Sequence, residues 1–167
     1  MLDVRKRVAG LILPLLTASP TVALPQRTAP AAVTGASAFA AEALGGAAGS
    51  AVGVVLGLSI ARPDDCPVED DVVCPLQRLS VAGLMGVAGA TIGTVVAGRA
   101  ANTNPSLVGA FLGAVAGAAA GIGLDHLITE EMGQSLGDVG AIALFSVTQG
   151  VLAAAGSRIG ARLAARR

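Results

Sequence analysis

His126 and Glu130 are the first pair of residues in this chain whose types and spacing could support chemistry. His126 is the only histidine, and Glu130 follows it four positions later. In a helix this spacing places an imidazole and a carboxylate on one face, where they could share a metal ion. A single histidine beside acidic residues is far more typical of a solvent-facing pair. We therefore predict no metal site at these residues.

Cys66 and Cys74 are the only cysteines, and they lie in an acidic segment, residues 62–78. In an exported protein such a pair favours a disulfide, which here would close a small loop. A two-cysteine metal site and two free thiols are the alternatives, although the CxxC spacing and histidine partners of a metal site are absent. The acidic residues lack the spacing of an EF-hand, so we interpret the segment as a solvated loop.

The sequence contains none of the motifs that mark common active sites. It has no nucleophile elbow, phosphate-binding loop or dinucleotide fingerprint, because its glycines repeat inside apolar segments and do not follow a strand. A single lysine, with no basic patch that includes aromatic residues, argues against a nucleic-acid partner. We therefore predict that the protein is not an enzyme and has no catalytic residue, cofactor or small-molecule substrate.

The composition is more typical of a membrane protein than of a soluble domain. Hydrophobic residues make up 53% of the chain, yet only 13% of its residues are charged, about half the usual share in soluble proteins. Alanine and glycine outnumber the larger apolar residues, and small side chains bury little area for a core in water. A bilayer, which excludes water from the backbone, suits this composition better.

Two sets of glycines repeat every four residues, and we call them the first and the second glycine ladder. Glycine inside a helix costs about 1 kcal/mol relative to alanine in water, so two such runs need a reason. In membranes the usual reason is close approach of two helix backbones. Looser spacing after the first ladder adds Gly86 and Gly93 as helix-packing residues. The first ladder is Gly45, Gly49, Gly53 and Gly57, and the second is Gly109, Gly113, Gly117 and Gly121.

Four apolar segments, each near the length of a membrane span, must position these residues. They predict an all-α fold of four Ala/Gly-rich membrane-type helices packed as two glycine-zipper hairpins. The segments run over residues 37–60, 75 or 79 to 98, 105–124 and 139–155. Asn104 and Pro105 predict the N-cap and the first residue of the third helix. The chain then divides into a signal peptide at 1–23, a flexible linker at 24–36, the four-helix domain at 37–157 and a basic tail at 158–167.

Two polar residues, Gln149 and Glu42, lie inside these apolar segments. Gln149 lies deep in the fourth segment and is the best candidate for an interhelical hydrogen bond. Glu42 is near the start of the first segment, and we interpret it as a first-turn charge favoured by the helix dipole. Helix packing is the favoured role for the polar residues of all four segments, and the lining of a pore is the alternative.

The repeated GxxxG pattern over residues 40–124 resembles the glycine-zipper families of bacterial cell-envelope membrane proteins. In those families, paired small-residue helices insert in or attach to a membrane. The resemblance implies an architecture with the lipid bilayer as a partner, and it implies no specific activity.

The first residues have the features of an export signal. Basic residues at 5–7 precede a mostly apolar run at 8–17, and Ala23 offers a small residue before a cleavage point. This predicts transfer to a membrane of the cell envelope, inner or outer, with cleavage near Ala23. A cytoplasmic amphipathic start or a transit peptide is the alternative.

The charges of the loops predict a sidedness that conflicts with a cleaved signal. The segments after the first and third helices are acidic, whereas Arg99 and the C-terminal tail are basic. The positive-inside rule therefore places the cysteine-bearing segment outside the cell. A cleaved signal would leave the new N-terminus outside and reverse this arrangement. Either the N-terminal segment is not translocated, or the weakly apolar chain is exported whole.

Arg158, Arg162 and Arg166 are spaced by four and would share one helix face that contacts anionic headgroups at the membrane surface. A plain stop-transfer tail is the alternative. The whole sequence thus predicts a non-enzymatic cell-envelope membrane protein, structural or self-associating as a homo-oligomer through glycine-zipper packing. An exported pore-forming or membrane-permeabilising protein and a soluble helical binding module are the competing hypotheses.

Overall fold

Four long helices make up nearly all of the chain that the computed structural model describes, which is residues 35–61, 73–132 and 137–166. No strand occurs in these ranges, so the predicted all-α class with four helices is confirmed. The predicted signal peptide and the linker up to residue 34 lie outside the described residues. Helix α1 covers Gly35–Ile60, α2 covers Val73–Ala100, α3 covers Leu107–Met132 and α4 covers Gly137–Ala164.

The helices pair along the chain as two antiparallel hairpins, as predicted. The most extensive contacts join α1 with α2 and α3 with α4, and the next most extensive join α1 with α4. The contacts of the first ladder show that α1 and α2 run in opposite directions, because Gly45 lies against Gly93 whereas Gly57 lies against Ala82. Each hairpin therefore packs one glycine ladder against its partner helix, and the two hairpins meet mainly along α1 and α4.

This arrangement gives the bundle a basic end and an acidic end. The basic end consists of the start of α1, the loop between α2 and α3, and the end of α4, with Arg99, Arg158 and Arg162. The acidic end consists of the other helix termini and includes Glu130 and Asp138. Since four helices return the chain to its starting side, the bundle begins and finishes at the basic end.

The loop at the basic end uses residues suited to helix termini. The Thr103 N–H donates to the Gly98 carbonyl and the Asn102 N–H to the Arg99 carbonyl, which together form a Schellman motif. Asn102 has a φ of 56°, a left-handed conformation that asparagine tolerates better than most residues. The predicted N-cap at Asn104 is wrong: Ser106 caps α3, because its hydroxyl accepts a hydrogen bond from the Gly109 N–H at 3.2 Å.

Two helices extend well beyond their predicted ends. Helix α3 continues from residue 124 to Met132 and carries His126 and Glu130. Helix α4 continues from residue 155 to Ala164, so that Arg158 and Arg162 belong to the helix and not to a separate tail. Alanine favours the helical backbone, and arginine near a helix C-terminus interacts favourably with the helix dipole.

The bundle places polar side chains inside and large apolar side chains outside. The largest fully buried side chains are those of Gln149, Glu42, Thr94, Ser50 and Ser157. The outer surface instead exposes leucine, valine and isoleucine side chains from all four helices. Each helix has 26 or 28 residues, or about 40 Å at 1.5 Å per residue. All four helices are long and apolar enough to cross a membrane.

Candidate functional site

The first glycine ladder brings the backbones of α1 and α2 into direct contact. A Cβ atom added to Gly45, Gly49, Gly53 or Gly57 would lie less than 3 Å from a backbone atom of α2. The neighbouring residue is Gly93 for the first of these positions, followed by Gly89, Met85 and Ala82. Because a peptide backbone cannot move aside as a flexible side chain can, any side chain at these positions requires the helices to separate.

The second glycine ladder joins α3 to α4 in the same way. Gly109 faces the Gly156 carbonyl, Gly113 faces Leu152, and Gly117 faces the Gln149 backbone, each with less than 3 Å for an added Cβ. Gly121 is less crowded, because its nearest backbone neighbour, the Phe145 Cα, would lie at 3.1 Å. Both ladders are therefore used for contacts within the chain.

Several glycines outside the two ladders also make close contacts. Gly46 and Gly150 lie where α1 meets α4, and an added Cβ at Gly150 would lie less than 3 Å from the backbone of Ala43 and Ala47. Gly86 faces inward. A Cβ atom added to it would lie 2.9 Å from the Val54 side chain and 3.2 Å from Gln149 Oε1. Sequence spacing does not single out the contact between α1 and α4, because its glycines follow no repeat.

Ser50 and Gln149 form a hydrogen bond at the centre of the bundle. Ser50 Oγ donates to Gln149 Oε1, and both side chains are fully buried. This bond confirms the prediction that Gln149 forms an interhelical hydrogen bond. Among the described residues, three buried polar atoms have no hydrogen-bond partner: Gln149 Nε2, Thr94 Oγ1 and Ser146 Oγ.

Glu42 is a buried charge, and the prediction of a first-turn charge is wrong. Helix α1 begins at Gly35, about two turns earlier, and Glu42 is 1% exposed. Its Oε1 accepts a hydrogen bond from Thr103 Oγ1 at 2.6 Å, and its Oε2 accepts one from Arg158 Nε at 3.2 Å. The carboxylate thus connects α1, the loop between α2 and α3, and α4.

Arg158 is held by three groups. Besides its ion pair with Glu42, its Nη1 donates to the Gly35 carbonyl at 2.7 Å, and its guanidinium lies 5.2 Å from the centre of the Phe39 ring. The predicted common face of Arg158, Arg162 and Arg166 therefore needs correction. Arg158 turns toward α1 and is 30% exposed, whereas Arg162 and Arg166 are exposed.

An open hollow of about 330 Å³ lies beside the Glu42–Arg158 pair, and we call it the basic-end hollow. Its polar lining comes from Glu42 on α1, from Thr103 and Asn104 in the loop, and from Ser157, Arg158 and Arg162 on α4. Ser157 Oγ accepts a hydrogen bond from the Ser106 N–H at 3.1 Å, which holds the start of α3 against α4. The hollow thus presents guanidinium and amide donors near a helix N-terminus.

His126 and Glu130 lie at the acidic end of the bundle. His126 Nε2 is 3.4 Å from Glu130 Oε1, and both side chains are mostly exposed. No group of three potential metal ligands occurs in the described ranges. Cys66 and the side chain of Cys74 lie outside what the structure describes, so their disulfide stays a prediction.

Comparison with known proteins assigns this chain to no family. The resemblance to the glycine-zipper families concerns the spacing of glycines over residues 40–124. No protein-family model, curated protein or solved structure matches this chain.

Proposed function

We propose that this chain is a non-enzymatic integral membrane protein of the cell envelope with a structural role. The observation that carries the proposal is the inverted distribution of its side chains. Leu44, Leu84 and Val139 are each more than 70% exposed, while Glu42 and Gln149 are buried. A surface of this kind promotes association in water, whereas in a bilayer it contacts acyl chains.

The buried polar residues support a structural role over a catalytic one. Both carboxylate oxygens of Glu42 are engaged by Thr103 and Arg158, and Gln149 Oε1 is engaged by Ser50. These bonds connect helices, and hydrogen bonds between membrane helices contribute roughly 0.6–2 kcal/mol each. They hold the two hairpins together.

Membrane extraction tests the proposed location. After cell lysis, the full chain should stay in the membrane pellet in alkaline carbonate and be released by detergent. Release into the soluble fraction by carbonate alone would contradict the proposal and favour a soluble helical module. N-terminal sequencing of the pelleted protein would show whether cleavage follows Ala23, which distinguishes a cleaved export signal from an N-terminal segment that is not translocated.

We also propose that copies associate, through the outer surface of the bundle. The ladder glycines are engaged inside the hairpins, but Gly83 in α2 and Gly123 in α3 have nothing within 4 Å of an added Cβ. Gly83→Leu and Gly123→Leu should weaken cross-linking between copies and leave the midpoint of thermal unfolding nearly unchanged. Cross-linking equal to the wild type in both variants would exclude these positions from the contact.

The alternative, a pore-forming protein, has less support. Helix backbones in contact along both ladders leave no room for a water-filled channel between the described helices of either hairpin. Gly46 and Gly150 also bring α1 and α4 of the two hairpins together, so we expect a pore only between several copies. Dye-loaded liposomes distinguish the two functions, because a structural protein should cause no leakage at any lipid composition, whereas a pore-former should release the dye.

A further inference from the structure

We propose that the basic-end hollow binds a phosphate group, carried either by an anionic lipid headgroup or by a free phosphate ion. The lipid form rests on the proposed membrane location, and the free-ion form does not. Two arginines and the amide of Asn104 line this open hollow of about 330 Å³. Guanidinium and amide groups are the side-chain donors that recognise phosphate oxygens.

Arg158 is oriented before any ligand arrives. A guanidinium has five N–H donors, of which Nε–H points to Glu42 and one on Nη1 points to the Gly35 carbonyl. Three N–H donors remain beyond these two bonds. Because the ion pair and the Phe39 ring already fix the side chain, binding a phosphate there costs little side-chain entropy.

The charges of the hollow favour a singly charged anion. Glu42 also lines the hollow, but it is 1% exposed and its oxygens accept hydrogen bonds from Thr103 and Arg158. Its negative charge compensates the positive charge of Arg158. Arg162, one turn farther along α4, lines the same hollow and is exposed. The hollow therefore has one positive charge in excess, which a phosphodiester would balance.

The start of α3 adds a favourable field. Asn104 and Pro105 line the hollow just ahead of α3, a helix of 26 residues. The N-terminus of a helix carries a partial positive charge that favours anions. Among the exposed arginines that the structure describes at the basic end, Arg162 is the one that lines the hollow together with Arg158.

Native mass spectrometry of the detergent-purified full chain tests the lipid form. The chain is titrated with phosphatidylglycerol or with zwitterionic phosphatidylcholine, and a parallel calorimetric titration uses inorganic phosphate. Arg162→Gln is the reporting variant, because Arg158→Gln leaves Glu42 unpaired and could prevent folding. Arg166→Gln is the matched control, since Arg166 is an exposed arginine one turn away that does not line the hollow.

We expect Arg162→Gln to weaken phosphatidylglycerol binding about tenfold, the loss of roughly one charge-assisted hydrogen bond, and Arg166→Gln to change it little. The chain could instead bind inorganic phosphate, with a similar loss in Arg162→Gln, and not bind the lipid. That result would support a phosphate site whose ligand is a free ion. Equal losses in both variants, or no binding of either ligand, would overturn the proposal. A wild-type chain that carbonate extracts from membranes would refute only the membrane location.

Discussion

Glu42 is a buried carboxylate, and its hydrogen-bond partners determine how much its burial costs. Removing an ion from water costs several kcal/mol, and a partner repays that cost only with good geometry. Here each carboxylate oxygen accepts one hydrogen bond, from Thr103 and from Arg158. The pair joins the first and last helices of the bundle, so its loss should affect the whole fold.

Arg158→Gln should lower the free energy of unfolding by about 3 kcal/mol, because it leaves the buried charge of Glu42 uncompensated. Glu42→Gln should cost about 1 kcal/mol, since a neutral amide can still accept the Thr103 hydrogen bond. Unfolding of the full chain in detergent, followed by circular dichroism, measures both values. Arg166→Gln is the control, and an equal effect of Arg158→Gln and Arg166→Gln would contradict the role of the pair.

Ser50 and Gln149 should show an unequal response to substitution. Ser50→Ala leaves a buried amide with neither of its polar atoms bonded, which should cost about 1–2 kcal/mol. Gln149→Met keeps a similar shape and also removes the unpartnered Nε2, so its cost should be smaller. The same unfolding measurement compares them, and a larger loss for Gln149→Met would show that the hydrogen bond is not what stabilises this contact.

At the scale of helices, the two hairpins depend on the absence of side chains. Gly113→Ala adds a methyl group less than 3 Å from the Leu152 carbonyl and should cost about 1–3 kcal/mol by forcing α3 away from α4. Gly123→Ala, in the same helix but with open space around it, should be neutral or stabilising by up to about 1 kcal/mol. Thermal unfolding in detergent compares the stabilities of the two variants. Equal stabilities would show that α3 and α4 are not in backbone contact.

The sequence predicts the hairpins well because their signal is local. A repeat of four places glycines along one side of a helix, so both ladders and their order in the chain indicate which helices pair. The Glu42–Arg158 pair has no such signal, since its residues are 116 positions apart and neither belongs to a repeat. The end of α4 was predicted too early for the same reason: Arg158 has the charge of a tail residue, and only its partner on α1 shows that it lies within the bundle.

At the scale of the whole molecule, the separation of charge between the two ends predicts an orientation in the proposed membrane. With the basic end inside, Cys66 and Cys74 should react with a membrane-impermeant maleimide in intact cells only after reduction of their predicted disulfide. Arg99→Cys, in a chain whose native cysteines are replaced by serine, should react only after the membrane is opened. Labelling of Arg99→Cys in intact cells would show the opposite orientation, the one that a cleaved signal requires.

The contact between Gly35 and Arg158 brings the start of α1 beside the last turns of α4. A short linker could therefore join the two termini of the bundle, and the chain could be reopened between α3 and α4, because closing a short loop costs little entropy. This circular permutation, in the order α4, α1, α2, α3, keeps every helix contact and moves the N-terminus to the acidic end. In the permuted protein, a secretion signal and the positive-inside rule would specify the same orientation.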